Sequence, residues 1–418
     1  MPLFDTTTWP FSVDLLPIDA YLVGGSVRDR LLNRKPSYLD LDFVLPADTL
    51  KISSQIARQH KAGYVVLAEK RQIARVTFEN MTVDFAQRQG DSTAADLGKR
   101  DFTVNAIAYN PHTHTLIDPI NGQADLAARI LRMVSQKNLA ADPIRLLRGF
   151  RQSAQLGFEL EADTQAAIKE LAPRLVLVAP ERVRNELDAL LSTSAGTPQF
   201  AHILSSDLLS IYLRKFNQQS VDNLVAIDRA YQQIKQHIPS LAQQVLGWVK
   251  PTPVGCYRSW MKVTKLSQLL PANPKDAEYE LVEGLRYSRY ESDMTLRLVK
   301  AQNQINEIKS GNKAKESERS QQFFLFKLLG ESFPAFALLA IARGVDIATV
   351  QFLNAKFQNP NDPVAHPPTL ISGDILIKQL GIKPGPDLGG LLSAVEQAQA
   401  RGDVQSAEDA IAYVRTIL

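Results

Sequence analysis

The sequence predicts an α+β protein, with a mixed β-sheet near the N-terminus and only helices in the rest of the chain. Two observations lead to this class. The first 110 residues alternate short apolar runs of β type with helix-like segments, and after about residue 119 apolar residues recur at helical spacing. A length of 418 residues also predicts more than one domain. We therefore expect a sheet-containing domain over residues 1–118, followed by helices over the rest of the chain.

The individual elements follow from the period of the apolar residues and from the residues that punctuate them. An apolar run that ends at Gly24-Gly25 predicts a strand at 21–23 and a helix at 26–32. Further strands are predicted at 39–45, 64–67, 73–78 and 81–86, with a helix at 48–60. Beyond the sheet, helices are predicted at 126–134, 144–156, 164–171 and 183–191.

Composition excludes several protein classes. Hydrophobic residues make up 45% and charged residues 22%, which excludes a collagen or a disordered tail, and the net charge of +3 permits a nucleic-acid partner without requiring one. The single cysteine, Cys256, excludes an intramolecular disulfide and a cysteine-built zinc site. We expect no secretory signal, no membrane partner and a cytoplasmic location. The apolar stretch 323–345 is interrupted by charges and by Pro334, so we predict buried helices there.

A pair of carboxylates on the second predicted strand is the first candidate for chemistry. Strand side chains alternate faces, so Asp40 and Asp42 point to the same side. Two adjacent carboxylates repel each other unless a cation bridges them, and Mg²⁺ prefers a few carboxylates together with substrate phosphates. A third acid, Asp84, is expected to face the same place from a neighbouring strand. The alternatives are a solvated strand end and an exposed acid.

A glycine-rich turn precedes this pair. Gly24, Gly25 and Ser26 lie where a strand ends and a helix begins, and Arg28 follows. Glycines let the backbone approach a ligand, and free N–H groups at a helix start donate hydrogen bonds to phosphate oxygens. A turn of this kind is weak evidence alone, but it is rarer in combination with the two aspartates.

A series of ordered motifs carries a resemblance to a known family. The run 22–29, with Asp40 and Asp42, resembles the signature of the class II tRNA nucleotidyltransferase and poly(A) polymerase family. Segments similar to later family motifs follow in the family's order, at 99–106, 118–126, 141–148, 180–187 and 371–386. The resemblance spans nearly the whole chain. It implies a catalytic head over residues 1–118, a helical neck over 119–200, a helical body over 201–310 and a helical tail over 311–418.

The resemblance implies an enzyme that extends an RNA 3′ end with CTP or ATP and without a nucleic-acid template. It implies a nucleotidyltransferase head with two Mg²⁺ ions on Asp40 and Asp42, Asp84 as a third catalytic candidate, and pyrophosphate as the leaving group. It also implies a set of nucleotide-binding residues: Gly24, Gly25, Ser26, Arg28, Arg100, Asp101, Asn105, Asp142, Arg145, Arg148 and Arg151. Within this set Gly25 and Arg28 would hold phosphates, and Arg100 and Asp101 would bind the sugar.

Asp142 and Arg145 are the expected readers of the base. At a spacing of three they are predicted to be neighbours on one helix surface. A carboxylate accepts and a guanidinium donates, so the pair matches the amino group and ring nitrogen of cytosine or adenine and rejects uracil and guanine. The alternative is a surface ion pair. Arg148 and Arg151 would support the triphosphate or the template, with a solvated basic face as the alternative for Arg151.

Two departures from the family pattern bear on the product. Ala141 replaces the glutamate expected before Asp142, and the segment 85–98 is short where members that add the whole CCA usually carry a longer flexible loop. We therefore expect addition of CC to tRNA, with a separate enzyme adding the final A. Addition of the full CCA, poly(A) synthesis and a non-catalytic RNA-binding protein are the alternatives. No histidine is followed by aspartate, so an HD phosphohydrolase is not expected.

The tRNA itself is expected on the C-terminal half of the chain. Basic residues there predict salt-sensitive contacts with the phosphate backbone, although a solvated helix face is an equal alternative. The candidates are Lys309, Lys313, Lys315 and Lys383.

Overall fold

A seven-stranded mixed sheet forms the N-terminal part of the chain in the computed structural model, which describes residues 3–34, 39–248, 257–310 and 315–418. Helices make up most of the chain after the sheet, so the predicted α+β class is confirmed. The strands are β1 Tyr21–Val23, β2 Leu39–Leu45, β3 Gly63–Ala68, β4 Ile73–Phe78, β5 Met81–Gln87, β6 Ala108–Tyr109, β7 Leu116–Ile117, β8 Ile130–Leu131 and β9 Glu159–Leu160.

Strand order places β2 at the middle of the large sheet. The order is β3-β4-β5-β2-β1-β6-β7, and only the β2–β5 pair is parallel. Along β2 the side chains alternate, so Leu41 and Phe43 are buried in the core, where Phe43 stacks on Phe85 of β5 at 5.7 Å. The opposite face carries the acids, and Asp42 stands directly opposite Asp84 in the parallel register.

Short 3-10 turns lie between some of the described α-helices. In the first half of the chain they are α1 Gly25–Leu31, α2 Thr49–Gln59, α3 Thr93–Leu97, α4 Gly122–Ala128, α5 Gln136–Ala141, α6 Ile144–Leu156, α7 Ala162–Leu171, α8 Pro180–Leu191 and α9 Gln199–Ser205. In the second half they are α10 Gln218–His237, α11 Pro239–Leu246, α12 Trp260–Ser267, α13 Pro274–Tyr279, α14 Arg289–Ser310, α15 Lys315–Leu329, α16 Phe333–Ala342, α17 Ile347–Gln358, α18 Gly373–Leu380, α19 Pro386–Arg401 and α20 Ala407–Ile417.

These elements group into two units by their contacts. Unit 1 contains Met1–Ala179 with Ser205–Leu208, and unit 2 contains Pro180–Leu204 with Leu209–Leu418. The large sheet and helices α1 to α7 therefore belong to unit 1. The finer division of the sequence at residues 118, 200 and 310 stays a prediction.

One predicted helix is wrong in its second half. Residues 126–134 were expected to be helical throughout, but α4 ends at Ala128 because Arg129 adopts a left-handed conformation with φ of 57°. Ile130 and Leu131 then form β8, which pairs in parallel with β9. The expectation of an all-helical neck therefore misses one short strand pair, since two apolar residues fit a buried strand and a helix equally well.

The apolar segment in unit 2 is a core element. By length and composition alone the segment Glu318–Ala342 could cross a membrane, but most of its apolar part is buried inside the fold. A 3-10 turn at Gly330–Ser332 interrupts it, and α16 has Pro334 in its first turn. The prediction of buried helices is confirmed.

Candidate active site

Gly24 brings the backbone of the β1–α1 turn close to the carboxylates of β2. Its φ is 78°, a left-handed value that favours glycine. A Cβ at this position would lie 3.3 Å from Oδ2 of Asp42 and 3.4 Å from Nη1 of Arg100. The turn therefore leaves little room for a side chain between the acid on β2 and the arginine that follows α3.

Asp40 and Asp42 form a pair of carboxylates on one face of β2. Within the described residues neither accepts a hydrogen bond. Burial raises the pKa of Asp42 to about 6, and the charges of Asp40 and Asp84 add to this. Burial also raises the pKa of Asp40, with a further contribution from Asp84, while Arg75 opposes the shift. Two partly desolvated, unpartnered carboxylates are a costly arrangement in the absence of a cation.

Asp84 has a different environment from the other two acids. It faces the same side of the sheet, but its two carboxylate oxygens accept from Nε and Nη2 of Arg75 on β4 at 2.7 and 2.8 Å. This bidentate pair also raises the pKa of Arg75. Arg75 is a residue that the sequence reasoning missed, and only the antiparallel register of β4 with β5 reveals it.

The carboxylate pair fits a divalent cation. Mg²⁺ takes carboxylate oxygens and usually keeps several waters, so two protein ligands are sufficient. A bound cation would also offset the repulsion that raises the pKa of Asp42. Among the residues that the structure describes, no group of three or more His, Cys, Asp or Glu side chains is arranged for a metal. The candidate is therefore a two-carboxylate site that needs ligands from a substrate.

A cavity of about 1110 Å³ opens beside this pair within unit 1. It is lined by all thirteen of the predicted metal- and nucleotide-binding residues, with Asp84 outside the lining. The thirteen are Gly24, Gly25, Ser26, Arg28, Asp40, Asp42, Arg100, Asp101, Asn105, Asp142, Arg145, Arg148 and Arg151. Lys99 and Gln152 also line the cavity and were not among the predicted residues.

A buried polar network forms one wall of the cavity. Asn105 accepts from Nη1 of Arg28 at 2.8 Å and donates to Asp101 and Gln152, each at 2.9 Å. Nε of Arg148 lies 3.2 Å from the other oxygen of Asp101. Burial opposes ionisation of Asp101, but Arg148, Asn105 and the amide of Phe102 hold its pKa below the ordinary value. The network keeps Asp101 charged and holds two arginines at the cavity wall.

Asp142 and Arg145 do not share a helix surface as predicted. Asp142 is extended, with φ of −140° and ψ of 90°, because the residue before a proline avoids helical geometry and Pro143 follows. Arg145 is the second residue of α6, and its Nη1 donates to the main-chain oxygens of Lys99 and Asn138, each at 3.0 Å. Burial lowers the pKa of Arg145. Both residues line the cavity, but from two different elements.

The short segment that precedes Arg100 is ordered by its own hydrogen bonds. Ser92 caps α3 through the amide of Ala95, and Asp96 accepts from the amide of Gln89 at 2.8 Å. Nζ of Lys99 donates to the main-chain oxygen of Gln89 at 3.1 Å. The segment is thus a closed turn with a single-turn helix.

The candidate tRNA contacts are only partly described. Lys313 lies outside the described residues, and the side chains of Lys309 and Lys315 are also outside them. Lys383 is exposed in the turn between α18 and α19. These four residues stay a prediction.

A mixed sheet with a carboxylate pair at a glycine turn, beside a cavity lined by arginines, defines a nucleotidyltransferase. Residues 20–132 match the poly A polymerase head domain, residues 157–219 match a probable RNA and SrmB-binding site of polymerase A, and residues 259–414 match a tRNA nucleotidyltransferase domain 2. The chain belongs to the tRNA nucleotidyltransferase and poly(A) polymerase family, a class of enzymes that uses divalent metal.

Three known proteins illustrate the similarity. A CC-adding tRNA nucleotidyltransferase of Synechocystis is 39% identical over 98% of this chain and 96% of its own length. An A-adding tRNA nucleotidyltransferase of Deinococcus radiodurans is 30% identical over 96% and 95%. The solved structure of a CCA-adding enzyme with ATP is 22% identical, covers 95% of this chain and 91% of that chain, and superimposes with a TM-score of 0.68. The last comparison supports the fold alone.

Proposed function

We propose that this nucleotidyltransferase adds two cytidine nucleotides to the 3′ end of tRNA from CTP, releases pyrophosphate and leaves the final A to a separate enzyme. The observation that carries the proposal is the segment before Arg100, which is short and closed on itself by Ser92, Asp96 and Lys99. Because this segment is short and hydrogen-bonded within itself, it has little free chain that could change conformation between the addition of C and the addition of A. The full-length similarity to a CC-adding enzyme supports the same product.

Asp40 and Asp42 are proposed to hold two Mg²⁺ ions. When bound, Mg²⁺ neutralises charge on the triphosphate and lowers the pKa of a coordinated hydroxyl. The chain contributes a fixed pair of carboxylates on the central strand, so that little reorganisation is needed when the substrate arrives. Asp84 is proposed to act on the site without binding a metal ion, because both of its carboxylate oxygens already accept from Arg75. It lies directly opposite Asp42 in the sheet, and its negative charge raises the pKa of Asp42.

The triphosphate is proposed to bind along Gly24, Gly25, Ser26 and Arg28. Arg28 uses its Nε for Asp29 and its Nη1 for Asn105, both at 2.8 Å, which fixes the guanidinium and leaves other donors for phosphate oxygens. Arg100 and Arg148 supply further positive charge in the cavity. Asp101 and Asn105 are proposed to bind the sugar.

Asp142 and Arg145 are proposed to read the base, with Arg151 supporting the template. The carboxylate accepts from the amino group of cytosine, and the guanidinium donates to the adjacent ring nitrogen. Uracil offers an acceptor where the carboxylate needs a donor, so it leaves polar groups unpaired at a cost of ~1–3 kcal/mol each. The tail, residues 311–418, with Lys309, Lys313, Lys315 and Lys383, is proposed to hold tRNA, and the enzyme is proposed to act in the cytoplasm.

The test uses three tRNAs that end before CCA, in C and in CC, each with Mg²⁺ and with CTP, ATP or both. Products are resolved at single-nucleotide length. We expect extension to stop after CC and ATP to add nothing. Complete CCA would contradict the proposed product, and a long ladder with ATP alone would indicate poly(A) synthesis. Asp42→Asn is expected to abolish transfer, whereas the control Asp19→Asn, at an exposed site, is expected to retain it.

A further inference from the structure

Asn138 on α5 ties together two segments that line the nucleotide cavity. Its side-chain amide carries two N–H donors. Both are used, because Nδ2 donates to the main-chain oxygens of Gly98 and Arg100, each at 2.8 Å. Ser135 caps α5 through the amide of Asn138 at 3.2 Å, which fixes the residue at the start of the helix. Asn138 itself does not line the cavity.

Arg145 completes the arrangement. Its Nη1 donates to the main-chain oxygen of Lys99, which lies between the two carbonyls that Asn138 binds, and also to the main-chain oxygen of Asn138. Three successive carbonyl groups, from Gly98 to Arg100, are therefore held by two side chains. The side chain of Asn138 thus holds the carbonyl groups on both sides of the Lys99 oxygen that Arg145 binds.

We propose that Asn138 is a positioning residue for nucleotide selection, because it fixes the carbonyl groups that hold the guanidinium of Arg145 in one position. This inference rests on the proposed function, in which Arg145 reads the base. A guanidinium on a long side chain that lacks fixed acceptors samples several positions and fits bases of different size. Two fixed acceptors confine it, so the cavity accepts cytosine and disfavours the larger adenine.

The test compares Asn138→Asp, Asn138→Ala and the control Gln136→Ala, which changes an exposed residue on the same short helix. The aspartate variant has the same shape but presents no amide donors to the carbonyl groups. We expect the ratio of kcat/KM for CTP to that for ATP to fall about tenfold in both Asn138 variants. The loss is expected in KM for CTP rather than in kcat. The control is expected to match the wild type.

A second arm measures equilibrium binding of CTP and ATP to the tRNA-free protein, and repeats both measurements in an Arg145→Ala background. If Asn138 acts through Arg145, replacing Asn138 in the Arg145→Ala background is expected to cause no further change in the binding of CTP or ATP, because the two effects are coupled. Equal losses for CTP and ATP, an undiminished effect in the Arg145→Ala background, or loss of the fold in both Asn138 variants would each overturn the proposal. A wild-type enzyme that completes CCA would contradict the proposed function instead, since the binding ratio is measured without tRNA.

Discussion

Replacing Asp42 with asparagine is expected to make the metal-free protein more stable, although it removes a carboxylate that is proposed to hold Mg²⁺. The side chain is held beside Asp40 in a partly desolvated site, and burial raises its pKa from 3.8 to about 6. An asparagine of the same shape carries no charge. The native fold of the wild type therefore bears a cost in EDTA that the variant does not bear.

The size and pH range of this cost follow from the pKa. The folded-state pKa of Asp42 lies above the unfolded value, so the native state ionises less readily, and stability is lost as the pH rises through the folded value. A shift of about two units corresponds to roughly 3 kcal/mol above pH 7. At pH 5 the cost is about half of that, and below about pH 3 it vanishes because both states are protonated.

Calorimetric unfolding in EDTA at pH 8 and pH 5 measures the effect. For a cooperative unit of 150–250 residues, about 2–4 °C accompany each kcal/mol, so Asp42→Asn is expected to raise the Tm of unit 1 by roughly 6–12 °C at pH 8 and by about half of that at pH 5. Asp19→Asn, at an exposed site, is expected to leave the Tm unchanged. Added Mg²⁺ is expected to stabilise the wild type and to close the gap.

The reasoning fails if the variant is less stable than the wild type at pH 8, or if the gap does not narrow at pH 5. Either result would mean that Asp42 is already compensated by groups of the protein. If the Tm difference between Asp42→Asn and the wild type persists in Mg²⁺, the result would support the electrostatic cost of Asp42 but contradict metal binding by Asp40 and Asp42.

Two further substitutions test other parts of the fold. Gly24→Ala is expected to cost about 1–2 kcal/mol of stability and most of the activity, because its Cβ would meet the carboxylate of Asp42. The control Gly157→Ala lies at a similar φ of 69° with nothing within 4 Å of the added Cβ, so it is expected to lose similar stability through backbone strain and to retain activity. Equal activity in both would contradict the steric argument. Lys262→Met is expected to destabilise unit 2 by about 3–5 kcal/mol, since the fully buried ammonium lies 3.0 Å from Glu291 and 3.5 Å from Asp188, and its removal leaves Glu291 with Arg258, at 3.4 Å, as its described cationic partner. Denaturant unfolding measures this loss of stability, which is expected to be smaller when Glu291→Gln is combined with Lys262→Met. If the double variant instead loses the sum of the two single losses, the pairing of Lys262 with Glu291 is refuted.

Local patterns made much of the fold predictable. Strand β2 was predicted with its observed bounds at 39–45, because alternating apolar and acidic residues match the two faces of a β-strand. Helix α6 was predicted at 144–156, because the apolar period ends at Gly157, which adopts the left-handed C-cap. The placement of Asp40 and Asp42 on one face followed from the same strand period.

Contacts between distant segments were not predictable in this way. The ion pair of Arg75 with Asp84 depends on the register of two strands, which no local pattern specifies. The partners of Arg145 are main-chain oxygens, and these have no signature in the sequence. The extended conformation of Asp142 was the exception, since the proline that follows it was a signal that the helical spacing argument overlooked.

The position of β2 in the sheet determines how damage elsewhere reaches the site. Strand β3 is an edge strand whose four apolar residues, from Tyr64 to Leu67, are all exposed. Fraying is easiest at such an edge, and two strands, β4 and β5, separate it from β2. In hydrogen exchange the amides of β3 should therefore exchange through local opening of the edge. The amides around Asp40 and Asp42 should exchange only when the whole of unit 1 unfolds. Strand β2 therefore keeps its hydrogen bonds while the edge of its own sheet opens locally.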